Sequence, residues 1–375
     1  MKFALTLSVY ISRQFIYNFL LVLSVFAILI FMMDAVELLR KASSRQIPFM
    51  VMADMVLLKL PMLLQVILPF IILVASVLTY TSLARRSELI IIRSAGVSVW
   101  EFLMPSIVCA FLIGIMVISV INPVSAIMLN KYEHLDAKYF ENKQNLLDIS
   151  ETGLWLRQKY EVLPEENEDD EIFNELIFHS KEVTGNNNIS LQNVEIYAFD
   201  EKDNFIYRID APTAHLKENQ LLIENALVTF RNNKNSKVKL FSIDTNLKPS
   251  DVQNSFANPQ AISFFQLPFF INKLEASGFS ALPHVLQWHR ILSSPFFYAA
   301  MVVIGAVFSL KAPRQGSIGF AIALSVVFGF VIYFLSNLVS SIGLAGSMPV
   351  AISAWTPIVI TAFIGVTMLL HYEDG

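Results

Sequence analysis

The sequence predicts an integral membrane α-helical protein with six transmembrane helices, arranged three and three around an inserted all-β, jelly-roll-like domain. Three observations carry this expectation. The composition is 55% hydrophobic and only 15% charged, with mean hydropathy +0.55, more apolar than is usual for a soluble chain of 375 residues. Six stretches reach the roughly 20 predominantly apolar residues that a spanning helix needs. Between the third and fourth lies a long polar segment broken into short β-branched and aromatic runs.

The spans are expected at about 14–38, 58–84, 101–123, 287–310, 316–342 and 350–371. The apolar part of the first, from Phe15 to Met33, is longer than a signal-peptide core and lacks a small-residue exit, so a retained helix is expected. Pro61 and Pro69 predict a kink in the second span. Gly305, Gly319 and Gly329 permit close helix approach in the fourth and fifth. The expected organisation is residues 1–124 for the first three helices, 125–283 for the β domain and 284–375 for the last three.

Loop cations set the orientation. One side holds Lys2, Arg13, Arg85, Arg86, Arg93, Lys311 and Arg314, and by the positive-inside rule it is expected to be cytoplasmic. Both termini then lie inside and the β domain outside. Arg40, Lys41 and Arg45, in "ELLRKASSRQ" (37–46), go against that rule. They either snorkel to ordinary headgroups or attract an anionic ligand at the outer leaflet, and Arg290, next to His289, would add to the same patch.

In the insertion, "TGLWLRQ", "NELIFHS", "NVEIYAFD", "NFIYRIDA", "TAHLKENQLLIENALVTF" and "KVKLFSID" read as strands separated by turn-forming stretches, which suggests a sandwich or jelly roll. "PEENEDDE" (164–171) lacks the ligand spacing and central glycine of a calcium loop and reads as a solvated loop. Phe264, Phe265, Phe269 and Phe270 are expected to form an interfacial or domain-packing segment on the way back to the membrane.

Several chemistries find no footing. A net charge of −4 argues against a nucleic-acid partner. Cys109 is the only cysteine, so an intrachain disulfide or cysteine-based zinc cluster cannot form. No phosphate-cradling G-x-x-x-x-G-K-[ST], no H-E-x-x-H and no recognisable Ser/His/Asp context occurs, so no cofactor, metal site or catalytic residue is expected. Ionisable residues are not expected in the middle of the spans, with Asp34 and Glu101 near span ends, which disfavours a secondary transporter. Any work done on a substrate must draw its energy from elsewhere.

"SLARRSELIIIRSAGVSVWEF" (82–102) is the candidate for that connection. Residues 82–96 are good helix formers, with Leu83, Leu89, Ile90 and Ile92 set among Arg85, Arg86, Glu88 and Arg93, and Gly96 placed to end the helix. A surface helix with no partner is one reading. The other is a coupling helix that docks in a groove of a cytoplasmic ATPase, its apolar ridge anchoring and Glu88 and Arg93 setting register.

"RRSELIIIRSAG" resembles the R-S-E-L-x-x-x-x-x-S/A-G segment of the lipopolysaccharide-export permease family LptF/LptG, and the three-plus-three arrangement agrees along essentially the whole chain. "GLW" (153–155), "EIYAFDEKDNF" (195–205) and "ELLRKAS" are more similar to the LptG branch, with Glu37, Arg40 and Lys41 on its charged positions; Asp34 departs from it, standing where some LptG first helices have lysine. The resemblance implies a non-catalytic permease subunit of the bacterial inner membrane. It would pair with an LptF-like second subunit and be gripped by two copies of an LptB-like ATPase. Lipopolysaccharide would pass, phosphates near the outer cations, to a single-span LptC-like protein and a periplasmic LptA-like bridge. The alternatives are the LptF-like role in the same exporter and a membrane-anchored periplasmic sensor or scaffold protein.

Overall fold

The computed structural model of the chain describes residues 2–43, 47–140, 154–159, 175–184, 189–200, 204–217, 220–231, 235–244, 257–276, 279–311 and 318–373. Six helices among these are long and apolar enough to cross a membrane: Thr6–Ala42, Phe49–Arg85, Val99–Tyr139, Leu282–Ser309, Gly319–Leu344 and Val350–His371. They belong to one compact unit, Met1–Glu133 with Gln260–Leu267 and Leu282–Gly375; a second unit, His134–Pro259 with Pro268–Ala281, contains the β-sheet. The protein is a multi-pass membrane protein with an inserted antiparallel β domain.

Helices α1 (Lys2–Ala42) and α2 (Phe49–Arg85) run for 41 and 37 residues. At 1.5 Å per residue each exceeds the roughly 30 Å of a bilayer's hydrocarbon. Neither contains a glycine, so each helix continues well past the apolar stretch that reveals it. Pro61 and Pro69 lie inside α2 without ending it. A seven-residue helix, α3 (Glu88–Ser94), follows.

Helix α4 (Val99–Met116) opens with a capping box, Ser98 Oγ accepting from the Glu101 N–H while the Glu101 carboxylate accepts from the Ser98 N–H. Glu101 is thus spent on the helix end. A π-helical turn, Val117–Ile121, joins α4 to α5 (Asn122–Tyr139). Pro123 has no N–H for the Ser119 carbonyl one turn back, and the re-registered ladder absorbs that loss. After α6 (Leu267–Ala276) come α7 (Leu282–Lys311), α8 (Ile318–Leu344) and α9 (Val350–Glu373).

The core of this membrane unit joins Phe15 of α1, Ile71–Leu73 of α2, Phe102 and Leu103 of α4, and Val302 and Ile304 of α7, all fully buried. Gly305 brings α7 against α2: a Cβ there would lie 2.6 Å from Ser76 Cβ. Two buried polar ties reinforce the packing, Asn18 Nδ2 donating to Thr79 Oγ1 at 2.9 Å and Ser309 Oγ to the Val77 carbonyl at 3.1 Å.

Among the described residues the β unit contains a six-stranded antiparallel sheet: β1 (Leu154–Lys159), β2 (Glu175–Thr184), β3 (Ile189–Phe199), β4 (Phe205–Lys217), β5 (Gln220–Phe230) and β6 (Asn235–Asp244), in sequential order. The expected all-β insertion is there, with "TAHLKENQLLIENALVTF" divided between β4 and β5, and its described strands pair in sequential, meander order. Short connectors, such as the one between Lys217 and Gln220, leave room only for hairpins. "NFIYRIDA" and "TAHLK" form one strand despite Pro212. The ladder skips Pro212 on both sides, opposite Asn193 and Asn225, which take positive φ of 51° and 54°. The pairing resumes in the same register beyond Pro212, so the missing donor is a local gap in the ladder and does not end the strand. The acidic run 164–171 lies outside the described residues.

Candidate functional site

At one end of the membrane unit the chain breaks away from α2 at Ser87, which adopts φ 58°, and enters α3. Helix α3 stops at Gly96 (φ 82°), where the Val97 N–H returns to the Ile92 carbonyl. This is the six-to-one bond of a glycine-terminated helix, with Ile92 and Val97 both packed in the core cluster. The periodicity divides the apolar residues in two. Leu83, Leu89 and Ile92 are buried, whereas Ile90 and Ile91 project, Ile91 with 66% exposure. Arg85 and Arg86 are exposed beside them, and Arg93 lies within α3. Glu88 is not a free contact. Its carboxylate accepts a hydrogen bond from Tyr10 Oη of α1 at 3.0 Å and lies 3.9 Å from the Arg86 guanidinium.

The cations assigned from sequence to one outer patch divide. Arg40 and Lys41 are exposed in the last turn of α1, Lys41 paired with Glu37 at 3.4 Å, and Arg45 falls outside the described residues. Arg290, two turns into α7, instead lines a cavity of about 510 Å³ within the membrane unit, whose walls include neither Arg40 nor Lys41.

The cavity is formed by α2, α5, α7, α8 and α9 with the π-turn. It mixes apolar side chains such as Met62, Phe297 and Ile358 with Gln65, Asn122, Gln287, Ser336 and Asn337. Pro69 and Pro357 also line it, and each frees the carbonyl four residues before it, those of Gln65 and Ser353, from its helical donor. Arg290 Nη2 donates to Ser340 Oγ at 2.8 Å and to Asn337 Oδ1 at 3.4 Å, both on α8. Among the described residues no carboxylate forms an ion pair with it. An arginine with only neutral partners inside a spanning helix is the charge a membrane fold disfavours most, unless an anion is to meet it.

Sequence reasoning missed a second charge on a membrane-crossing helix. Lys59, at the edge of the apolar run, is ten residues inside α2, and its Nζ binds Asp34 Oδ1 of α1 at 2.7 Å. Asp34 is 8% exposed, and the ammonium also sits 5.5 Å from the Tyr132 ring centroid. The signal was one acidic and one basic residue in neighbouring long helices, and the helix lengths needed to pair them are not visible in hydropathy. Asn122 was missed too: it is 3% exposed and accepts from the Phe264 N–H at 2.8 Å. Phe264 in turn stacks on Trp288. Phe265 and Phe269 are exposed. Among the described residues no group of three or more His, Cys, Asp or Glu could hold a metal ion.

Comparison with known proteins accords with this architecture. Residues 9–371 match the family of the lipopolysaccharide export system permease LptF/LptG. The lipopolysaccharide export system permease protein LptG of Escherichia coli K12 is 23% identical over 314 residues, 80% of this chain and 80% of that protein. LptG of Escherichia coli O6:H1 (strain CFT073) matches to the same extent. The chain, with its six spans and inserted sheet, belongs to the LptF/LptG family of lipopolysaccharide export system permeases.

Proposed function

We propose that this chain is an LptG-like subunit of an ATP-driven lipopolysaccharide exporter of the bacterial inner membrane, both termini cytoplasmic and the sheet periplasmic. It performs no chemistry itself. It pairs with an LptF-like subunit around a cavity open to the outer leaflet, and two copies of an LptB-like ATPase grip the α3 helices of the pair. Lipopolysaccharide leaves the membrane because closure of that cavity pushes it toward the β domain, an LptC-like protein and an LptA-like bridge. Each acyl CH₂ brought into water costs about 0.8 kcal/mol, so extraction of a multi-chain lipid needs a motor and an apolar path. The curated relatives, both LptG proteins, favour that role over the LptF-like one.

The observation that carries this reading is the outward ridge of Ile90 and Ile91 on a short helix that is firmly capped and tied to the bundle through Leu89 and Ile92. A rigid apolar projection flanked by Arg85, Arg86, Glu88 and Arg93 is what a docking groove would grasp. Arg40, Lys41, Arg45 and Arg290 are the proposed phosphate contacts. Burying the exposed part of Ile91 contributes about 1–2 kcal/mol, so Ile91→Asp weakens ATPase capture at least about tenfold. Co-purification of the ATPase in detergent is the test. Glu88→Lys also lowers the yield, whereas Tyr10→Phe, which only frees the Glu88 carboxylate, does not. Undiminished ATPase with Ile91→Asp and Glu88→Lys would remove α3 from the interface.

A further inference from the structure

We propose that the α7–α8 cavity binds a single anionic, hydroxyl-rich group, and that its phosphate takes the Arg290 guanidinium from Ser340 and Asn337, unlatching α8 from α7. The inference rests on the permease reading and adds how an occupied site is signalled to a spanning helix.

The guanidinium has five N–H donors, and the described hydrogen bonds use one nitrogen, on two neutral oxygens of α8. Asn337 and Ser340 lie three residues apart on one helical face, so Arg290 ties that face to α7. A phosphate offers the same fork two charged oxygens, and charge-assisted bidentate bonds are about twice as strong as neutral ones. The exchange therefore runs toward the ligand. Around the cation the walls present amides and hydroxyls, among them Gln65, Asn122, Gln287 and Tyr333, with no second charge. Such a lining suits one negative charge and several hydroxyls. A volume of about 510 Å³ is that of a small-molecule site and takes a phosphorylated sugar, leaving acyl chains outside.

Helix α8 is also free to respond. Only 17% of its apolar window is buried, against 67% for α7, and Phe330 and Phe334 face outward at 63% and 60% exposure. Loosening the Arg290 tie removes one restraint on its C-terminal half, whereas α7 stays fixed in the core through Val302 and Ile304.

The test uses the full chain assembled with its partner subunits in nanodiscs. Hydrogen exchange over residues 332–344 is followed while inorganic phosphate or glucosamine 1-phosphate is added, and separately in nanodiscs carrying lipopolysaccharide. Exchange of α8 rises with ligand. A response only in the lipopolysaccharide discs assigns a lipid headgroup, and a response to the free compounds assigns a soluble anion; either supports the site. Arg290→Gln abolishes the response and raises basal exchange. Ser340→Ala raises basal exchange and, with the competitor gone, tightens binding of glucosamine 1-phosphate or lipopolysaccharide by up to about tenfold. An α8 that ignores every ligand, or Ser340→Ala binding no more tightly than wild type, overturns the latch. If the same particles still extract lipid with ATP, the permease reading survives that failure; if they extract none, the permease reading itself fails.

Discussion

Asp34→Asn isolates the contact that holds the first span to the second. The carboxylate is 8% exposed and meets Lys59 Nζ at 2.7 Å, so the substitution leaves a buried ammonium facing a neutral amide. Breaking one side of a buried pair costs about 3–5 kcal/mol. The Lys59 side chain keeps 22% exposure and its position near the Tyr132 ring, which reduce the loss to about 2–3 kcal/mol. At about 2 °C per kcal/mol for a chain of this size, the melting temperature falls by about 4–6 °C. A thiol-reactive dye reads the transition directly, because Cys109 is the only cysteine and becomes accessible as the bundle opens. Asp34→Asn with Lys59→Met replaces the ion pair by a neutral one and recovers most of the loss. A single mutant that melts within about 1 °C of wild type, or a double mutant no better than the single, would refute the idea that this pair fastens α1.

The remaining expectations concern packing, helix termination and pH. Gly305→Ala places a methyl group 2.6 Å from Ser76 Cβ, which should destabilise by about 1–3 kcal/mol in the same melting assay, and Ser76→Gly should rescue it. Gly96→Val forces a β-branched residue to φ 82°, frays the end of α3 and lowers ATPase co-purification while the melting temperature changes little. In the β unit, Tyr197 donates a hydrogen bond to Glu195 at 2.9 Å, which, with Arg208 and His179 nearby, holds that carboxyl below its ordinary range. A depressed folded-state value means the stabilisation is complete above the ordinary carboxylate pKa of about 4.3 and is lost as pH falls through the lower folded value. Tyr197→Phe removes the largest cause, so hydrogen-exchange protection across residues 189–217 is lower at neutral pH and falls less on acidification than in the wild type.

Hydropathy alone was enough to find six spans, because a bilayer imposes a length and composition that few other settings demand. It placed the ends of α1 and α2 poorly. Helix propagation through Lys2–Thr6 and Phe49–Leu57 is driven by propensity and packing and leaves no mark in an apolar window. Lys59 stood at the edge of the expected second span, but its buried partner Asp34, on another helix, could not be read from hydropathy. The end of α3 at Gly96 was legible, since a left-handed terminus has a residue signature. Its outward face was harder to read: four apolar residues in five offer two possible ridges, and only tertiary packing selects Ile90 and Ile91. The sheet's strands could be read from alternation, but their order could not, and Pro212 hid the continuity of β4, because the unbroken register that carries the strand past it is set by pairing with the neighbouring strands. Arg290 was visible as a cation, but its cavity is built by five helices and appears in no local pattern.

Reconstitution into liposomes containing lipopolysaccharide tests the dependence on an external motor most directly. The purified chain alone should neither hydrolyse ATP nor release lipid to a periplasmic acceptor, and both activities should appear when the second permease and the ATPase are added. ATP hydrolysis or lipid release by the chain without those companions would contradict the account.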